Sequence, residues 1–508
     1  MGVLVLALLA TSVGLVIVDR DRAEARREAD ALRSQLEEER TGSADAPADV
    51  PSAADPSAPQ GDGPSTPAPN DTAPQGDGPS RSQPAPKDSG ALQDLLDQLM
   101  GGSGMGNIDP SCVADLAGGG VGQGGKIEGD VRQQVAAIAP LVEQQRGLHF
   151  DHAVVPEFLP SDEFEARLAK TVEKDYPAAQ ADLEGRVLGL LGAVPKGTDM
   201  KALEGDLLTG QVAGYYDPET EQIVVRVPDG GGSLDANGQV TLAHELDHAL
   251  TDQAIGLPSA DAKGQSDANL AQLGLVEGDA TLLMEQFSLH SIGLMDQLGA
   301  ALSPDALAAQ GQLDGVPPYL RNQLMFPYLS GLSYVCRLYT EGGWPAVDAA
   351  YRDLPGSTAE ILYPEDAGLT PVNPRDPGSP GAGWTTAQTD TLGAAQLLWL
   401  FQAPGGDEKQ AIQDAEAAAR HWAGGEMVLS TDGDRSALGV ALVDGADGGT
   451  LCSAVEDWYS AAFDASRSED GGATVMSADG QVGVLRCNGR EVRLGIAPDA
   501  TAAAAMAQ

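Results

Sequence analysis

Apolar residues are spread unevenly along the 508-residue chain. They fill an uncharged run from Gly2 to Val18, "GVLVLALLATSVGLVIV", almost vanish until residue 91, and recur at regular spacing from about Gly129 onward. The first run is 17 residues long, at the short end for a membrane-spanning helix. It lacks the basic start and small-residue cleavage site of a secretory signal, so the pattern predicts an uncleaved membrane anchor over residues 1–19. Arg20, Arg22, Arg26 and Arg27 follow it, and the positive-inside rule alone would keep the rest of the chain in the cytoplasm. The linker and the cysteines described below weigh the other way, toward a single-pass protein with its folded domain extracytoplasmic.

Residues 20–40 are charged and helix-forming, with Ala25, Ala29, Leu32 and Leu36 on one stripe, which predicts a juxtamembrane helix. Residues 41–90 are rich in Pro, Ala, Ser, Gly and Asp and have almost no large apolar side chain, so they cannot bury enough surface to fold. "APQGDGPS" occurs there twice, at Ala58–Ser65 and Ala73–Ser80, a low-complexity repeat in a disordered linker. A short amphipathic helix, "ALQDLLDQLM" from Ala91 to Met100, and a Gly-rich connector fill 91–128.

Beyond that, "DVRQQVAAIAPLVEQQRGL" reads as a helix, "HFDHAVVPEFL" as extended, and the stretch from Ser161 to Val194 as one or two helices. Gly210–Val227 reads as two short strands with a turn at Asp217-Pro218. Helical spacing dominates afterwards, and strand-like runs return only near "GGEMVLSTD" and "GQVGVLRC". The predicted fold class is α+β, mostly helical, with a small strand region ahead of the helix that carries the motif below. The main domain is placed at 129–430 and a C-terminal extension at 431–508.

Charge narrows the function. Asp and Glu number 75 against 30 Lys and Arg, a net −45, whereas phosphate binding needs a clustered basic surface, which argues against nucleic acid. The four cysteines, Cys112, Cys336, Cys452 and Cys487, form no CxxC pair, so thiolate zinc and thioredoxin-like chemistry are disfavoured. Cys452 and Cys487 flank the last compact region and are expected to pair, leaving Cys112 for Cys336.

The chemistry lies in "TLAHELDHALTDQ", Thr241–Gln253. If Gln239–Gln253 is a helix, His244 and His248 project from one face one turn apart, a spacing that suits one zinc ion. Glu245 beside them is placed to take a proton from metal-bound water. A catalytic site needs a third protein ligand. Glu277, in the helical run Leu270–Phe287, is a candidate, with Glu285 its rival; His149, His152 and His290 are poorly placed. Asp252, one turn after His248, and Asp279, beside Glu277, compete as the carboxylate that would accept a free ring N–H of a ligand histidine.

His244-Glu245-Leu246-Asp247-His248, followed by Glu277-Gly278-Asp279-Ala280, resembles the gluzincins, zinc peptidases with two His and one Glu ligand. The pieces "RGLHF", "AGYYDPETEQIVV", "LVEGDAT", "FPYLSGLSYV", "GGWPAVDAAYRDLPGSTAEILYPE" and "HWAGGEMVL" make the chain similar to a group of bacterial envelope proteins of that kind, over roughly 146–429. The resemblance implies a zincin-like domain, one zinc ion, Glu277 as third ligand, Glu245 as general base, and a peptide or protein substrate. A zinc-stabilised binding module of the cell envelope is the alternative, but it would have no need of Glu245. A peptide-deformylase-like enzyme would want a cysteine ligand, and none lies near the motif in sequence. "GYYDPETEQIVV" is placed to offer a sheet edge to an extended substrate, next to Tyr215 and Tyr216.

Overall fold

The computed structural model describes residues 6–9, 126–227, 232–259, 266–292, 313, 315–366, 371–446 and 449–508. The chain divides into two units. One joins Met1–Leu15 to Gly104–Gln508; the other, Val16–Ser103, lies outside the described residues. The predicted juxtamembrane helix, the linker, the Ala91–Met100 helix and Cys112 lie outside them too.

In chain order the elements are β1 (Leu6–Leu9), α1 (Val131–Arg146), β2 (Glu157–Pro160), α2 (Ser161–Asp175), α3 (Ala178–Leu190), α4 (Met200–Gln211), β3 (Val212–Asp217), β4 (Gln222–Val227), α5 (Ala236–Ala254) and α6 (Ser266–Ser291). There follow α7 (Pro318–Gly342), α8 (Trp344–Ala350), α9 (Thr358–Leu362), β5 (Thr385–Asp390), α10 (Ala394–Gln402), α11 (Ala415–Ala419), β6 (Trp422–Asp432) and β7 (Arg435–Asp444). The last are α12 (Thr450–Phe463), β8 (Ser466–Asp470), β9 (Ala473–Ala478), β10 (Gln481–Asn488), β11 (Glu491–Ala497) and α13 (Ala500–Met506).

Two sheets organise them. The smaller has the order β1-β3-β4-β2, with β2 parallel to β4 and the other pairs antiparallel. The larger is antiparallel throughout, seven strands in the order β5-β6-β7-β11-β10-β9-β8. One core joins Ile138 and Val142 of α1, Ile223 and Val225 of β4, Leu242 and Leu246 of α5, and Leu275 and Leu283 of α6. A second joins α3, α10 and α12 to the large sheet through Leu188, Trp399, Phe401, Leu438, Leu442 and Trp458. Each buried leucine contributes about 1.5–3 kcal/mol relative to exposure.

Two sequence expectations are corrected here. The fold is mixed α+β with a seven-stranded antiparallel sheet, not a mostly helical, zincin-like domain with a small strand region ahead of the motif helix and only two strand-like runs after it. Periodicity failed for opposite reasons along that sheet. β7 is buried on both faces over Ala437–Asp444 and reads as an unbroken apolar run up to Val443. β8, "SRSED", is exposed at every position and offers no alternation at all. Residue 430, chosen as a boundary, lies within β6, which pairs with β7.

The second correction concerns the membrane anchor over 1–19. Leu6–Leu9 is a strand that pairs antiparallel with β3, Leu6 opposite Tyr216 and Leu9 opposite Val212. Among the described residues no helix is long and apolar enough to cross a membrane. A short run of leucine and valine does not distinguish strand from helix, and here strand pairing satisfies its backbone. The expected single-pass, extracytoplasmic placement requires that anchor and falls with it. Cys452 and Cys487 form a disulfide. Cys336 is also disulfide-bonded.

Candidate metal centre

The helix that carries the motif is capped at its start by Asp235, whose side chain accepts from the Gly238 amide. Every residue from Gln239 to Thr251 is buried, so α5 is a core helix whose polar groups must find partners inside the protein. α6 is likewise buried on most sides between Ala271 and Ser288. The two helices bring His244, His248 and Glu277 together as a buried group able to hold a metal ion.

The geometry is specific. His244 Nε2 lies 3.1 Å from Glu277 Oε2, His248 Nε2 lies 2.9 Å from His244 Nε2, and His248 Nε2 lies 3.5 Å from Glu277 Oε2. Three atoms at those separations sit on a circle of radius about 1.9 Å, so an ion at zinc's bond lengths of about 2.0–2.1 Å can contact all three from just outside their plane. Protonation agrees. Burial and the neighbouring His248 lower the His244 pKa to about 4. Burial alone would raise Glu277, but His248 and His244 hold its carboxyl below the usual range. A neutral imidazole beside an ionised carboxylate is the state a metal requires.

Glu245 is fully buried beside this group. Neither of its carboxyl oxygens reaches a hydrogen-bond partner among the described residues, although the Tyr216 backbone lies near enough to lower its pKa somewhat. Burial, then the charge of Glu277, push that pKa well above the ordinary carboxylate value. Gly214 of β3 permits the close approach: a Cβ there would lie 2.9 Å from Thr241 Cγ2 and 3.4 Å from Glu245 Cγ. β3 therefore runs directly past the glutamate, and its outer edge is taken by β1.

Other expected residues fall elsewhere. Glu285 is half-buried, away from the ligand group, and burial lifts its pKa to about 7. Asp252 accepts the Tyr216 hydroxyl at 2.8 Å and the Leu257 amide at 3.1 Å. Asp279 accepts a two-pronged bond from Arg146, at 3.1 and 3.0 Å, and the Tyr351 hydroxyl at 2.9 Å. Neither aspartate hydrogen-bonds a ligand histidine among the described residues. On α6 Asp279 follows Glu277 by two residues, which turns it to the far side of the helix. Tyr215 packs against Phe164 with ring centroids 5.8 Å apart.

Tyr328 was not singled out from the sequence. It lies on α7, with its ring 6.5 Å from the His244 ring and its hydroxyl hydrogen-bonded to Glu277. Burial, Glu277 and Glu245 all raise its pKa, so it stays a proton donor. Glycines put it there. Gly274 and Gly278, one turn apart on α6, meet Gly331 on α7, where a Cβ on Gly278 would lie 2.3 Å from the Gly331 carbonyl oxygen. Only bare backbone lets α7 come so close, and Tyr328 stands one turn before that contact. The glycines were visible in "LVEGDAT" and "FPYLSGLSYV", but nothing in either string says that they touch.

No protein-family model, curated protein or solved structure matches the chain.

Proposed function

We propose that this protein is a zinc-dependent peptidase that uses the gluzincin arrangement of ligands. One observation carries the reading: a buried two-histidine, one-glutamate ligand set stands beside a buried carboxylate, Glu245, neither of whose oxygens meets an aligned side-chain donor among the described residues. A structural zinc site closes its shell with four protein ligands, whereas the described residues supply three, the number that a catalytic site uses. Bound zinc would supply Lewis acidity toward a carbonyl and would lower the pKa of a coordinated water to about 7.

The chain's own residues do the rest. Glu245 takes the proton released as water attacks the scissile carbonyl, and returns it to the leaving amine. The Tyr328 hydroxyl, which donates to Glu277 in the metal-free site, would turn its one proton to the oxygen that gains negative charge. A peptide suits this ligand set and base, and it would approach other than along β3, whose outer edge Leu6–Leu9 occupies.

The test pairs metal content with turnover. The purified full-length protein should hold one zinc ion and cleave members of a mixed peptide library. Glu245→Gln should keep the zinc and lose cleavage, because an amide keeps the shape but cannot take the proton. A protein that takes up no zinc, or a Glu245→Gln variant that cleaves at near the wild-type rate, refutes the reading.

A further inference from the structure

Arg146 is the last residue of α1. Gly147 ends the helix there, in the left-handed region at φ 76° that glycine adopts without strain. The Arg146 side chain is completely buried. Its guanidinium holds Asp279 of α6 through two parallel bonds of 3.1 and 3.0 Å. It lies 3.8 Å from Asp247 of α5 and contacts Asp348 of α8 at 2.7 Å, an ion contact not aligned as a hydrogen bond. The Trp344 ring lies under the cation, 4.5 Å from its centre. One guanidinium thus sits among three carboxylates, with Asp247 and Asp279 buried and Asp348 partly exposed.

As stabilising glue this is a poor choice, since buried ion clusters are often no better than apolar packing of the same volume. What it supplies is direction, because a planar fork fixes a carboxylate in distance and angle. The placement of its partners is informative. Asp247 precedes the ligand His248, and Asp279 follows the ligand Glu277 by two residues. The two histidines share α5, so their spacing is intrinsic to one helix. The position of Glu277 relative to them depends on how α6 is set against α5. Arg146 reaches both helices at once, each within two residues of a ligand.

We infer that Arg146 is a positioning residue of the metal centre, a clamp that sets the register of α6 against α5 and so holds Glu277 at the histidine pair. The inference rests on the metal-binding reading above. Arg146→Lys keeps the charge and loses the fork; Asp279→Asn keeps the fork and weakens its anchor on α6. Both would be made in the full chain. Zinc affinity would be measured by competition with a chromophoric chelator, and ligand geometry by the visible spectrum of the cobalt(II)-substituted protein. Melting of the metal-free forms would report fold. Both variants should bind zinc about 10–100-fold more weakly at temperatures where they are fully folded, with an altered cobalt spectrum. Wild-type affinity and an unchanged spectrum in folded variants, whatever their loss in melting temperature, would reduce Arg146 to a structural role and overturn the inference. If the wild-type protein binds neither zinc nor cobalt, the metal reading itself falls.

Discussion

Replacing Gly278 by alanine tests the link between helix packing and the site most directly. In an ordinary helix the change is favourable, because glycine costs up to about 1 kcal/mol relative to alanine. Gly205 in α4, where an added Cβ meets nothing within 4 Å, is the matched control. At Gly278 the new Cβ would lie 2.3 Å from the Gly331 carbonyl oxygen, 2.4 Å from its carbon and 2.9 Å from Val335 Cγ2. Real contacts of this kind begin at 3.0 Å and are mostly beyond 3.4 Å, so α6 and α7 must separate by about 0.7–1.1 Å, the difference from 2.3 Å. The obstacle is backbone and cannot swing aside. Its cost belongs at the upper end of the overpacking range of about 1–3 kcal/mol, which leaves a net loss of roughly 2 kcal/mol after the helix gain.

The separation also draws Tyr328 away from Glu277, the neighbour of Gly278, and a displacement near 1 Å can cost about 100-fold in rate. Urea unfolding of the metal-free Gly278→Ala and Gly205→Ala proteins measures the first effect, free of the stability that bound metal adds. Peptide turnover at saturating zinc measures the second. If Gly278→Ala proves as stable as Gly205→Ala, the close approach of the helices is not as described, and the argument that glycines place Tyr328 fails.

Three further outcomes are expected. Glu277→Ala should lower zinc affinity well beyond the roughly 10–100-fold typical of residues behind a ligand, while Glu285→Ala should change it little; dialysis against a graded chelator compares them, and the reverse order would show the third ligand misassigned. Tyr328→Phe should lower kcat by about 100–1,000-fold at saturating zinc, a larger loss than in metal affinity, and an unchanged kcat would remove it from the chemistry. Glu285 has a folded pKa raised to about 7 from an ordinary 4.5, so the folded state binds its proton more tightly than the unfolded one. Its contribution to stability is therefore full below pH 4.5 and lost as pH rises toward 7. Glu285→Gln should gain stability relative to wild type between pH 4.5 and 7.5, and a difference that stays flat across urea melts in that range refutes the assignment.

How much of this could be read from the chain depended on how local each feature is. His244 and His248 stand out because four residues is one helical turn, and the apolar side formed by Leu242, Leu246 and Leu250 gives that turn a core to face. Glu277 could be chosen over Glu285 only through its Glu-Gly-Asp-Ala context, since helical spacing serves both equally. In the large sheet β6 and β10 were legible as strand-like runs, whereas β7 and β8 escaped because one is apolar on both faces and the other polar on both, so neither displays a period of two. The apolar start escaped for a related reason: composition says that Leu6–Leu9 avoids water but not which backbone partner it takes.

Arg146 and Tyr328 mark a different limit. They lie 98 residues before and 84 after the first ligand, the differences of 146 and 328 from 244, and no period connects them to it. What brings them in is a helix ended at Gly147 and a pair of helices stripped to backbone at Gly274, Gly278 and Gly331. Glycine in these places has no chemistry of its own. It fixes where neighbouring side chains arrive, and in a buried site with three converging ligand atoms that placement decides whether the third ligand reaches the other two. Alanine at Gly278, which touches no ligand, should therefore disturb the centre more than loss of the carboxylate at Glu285, seven residues further along the same helix.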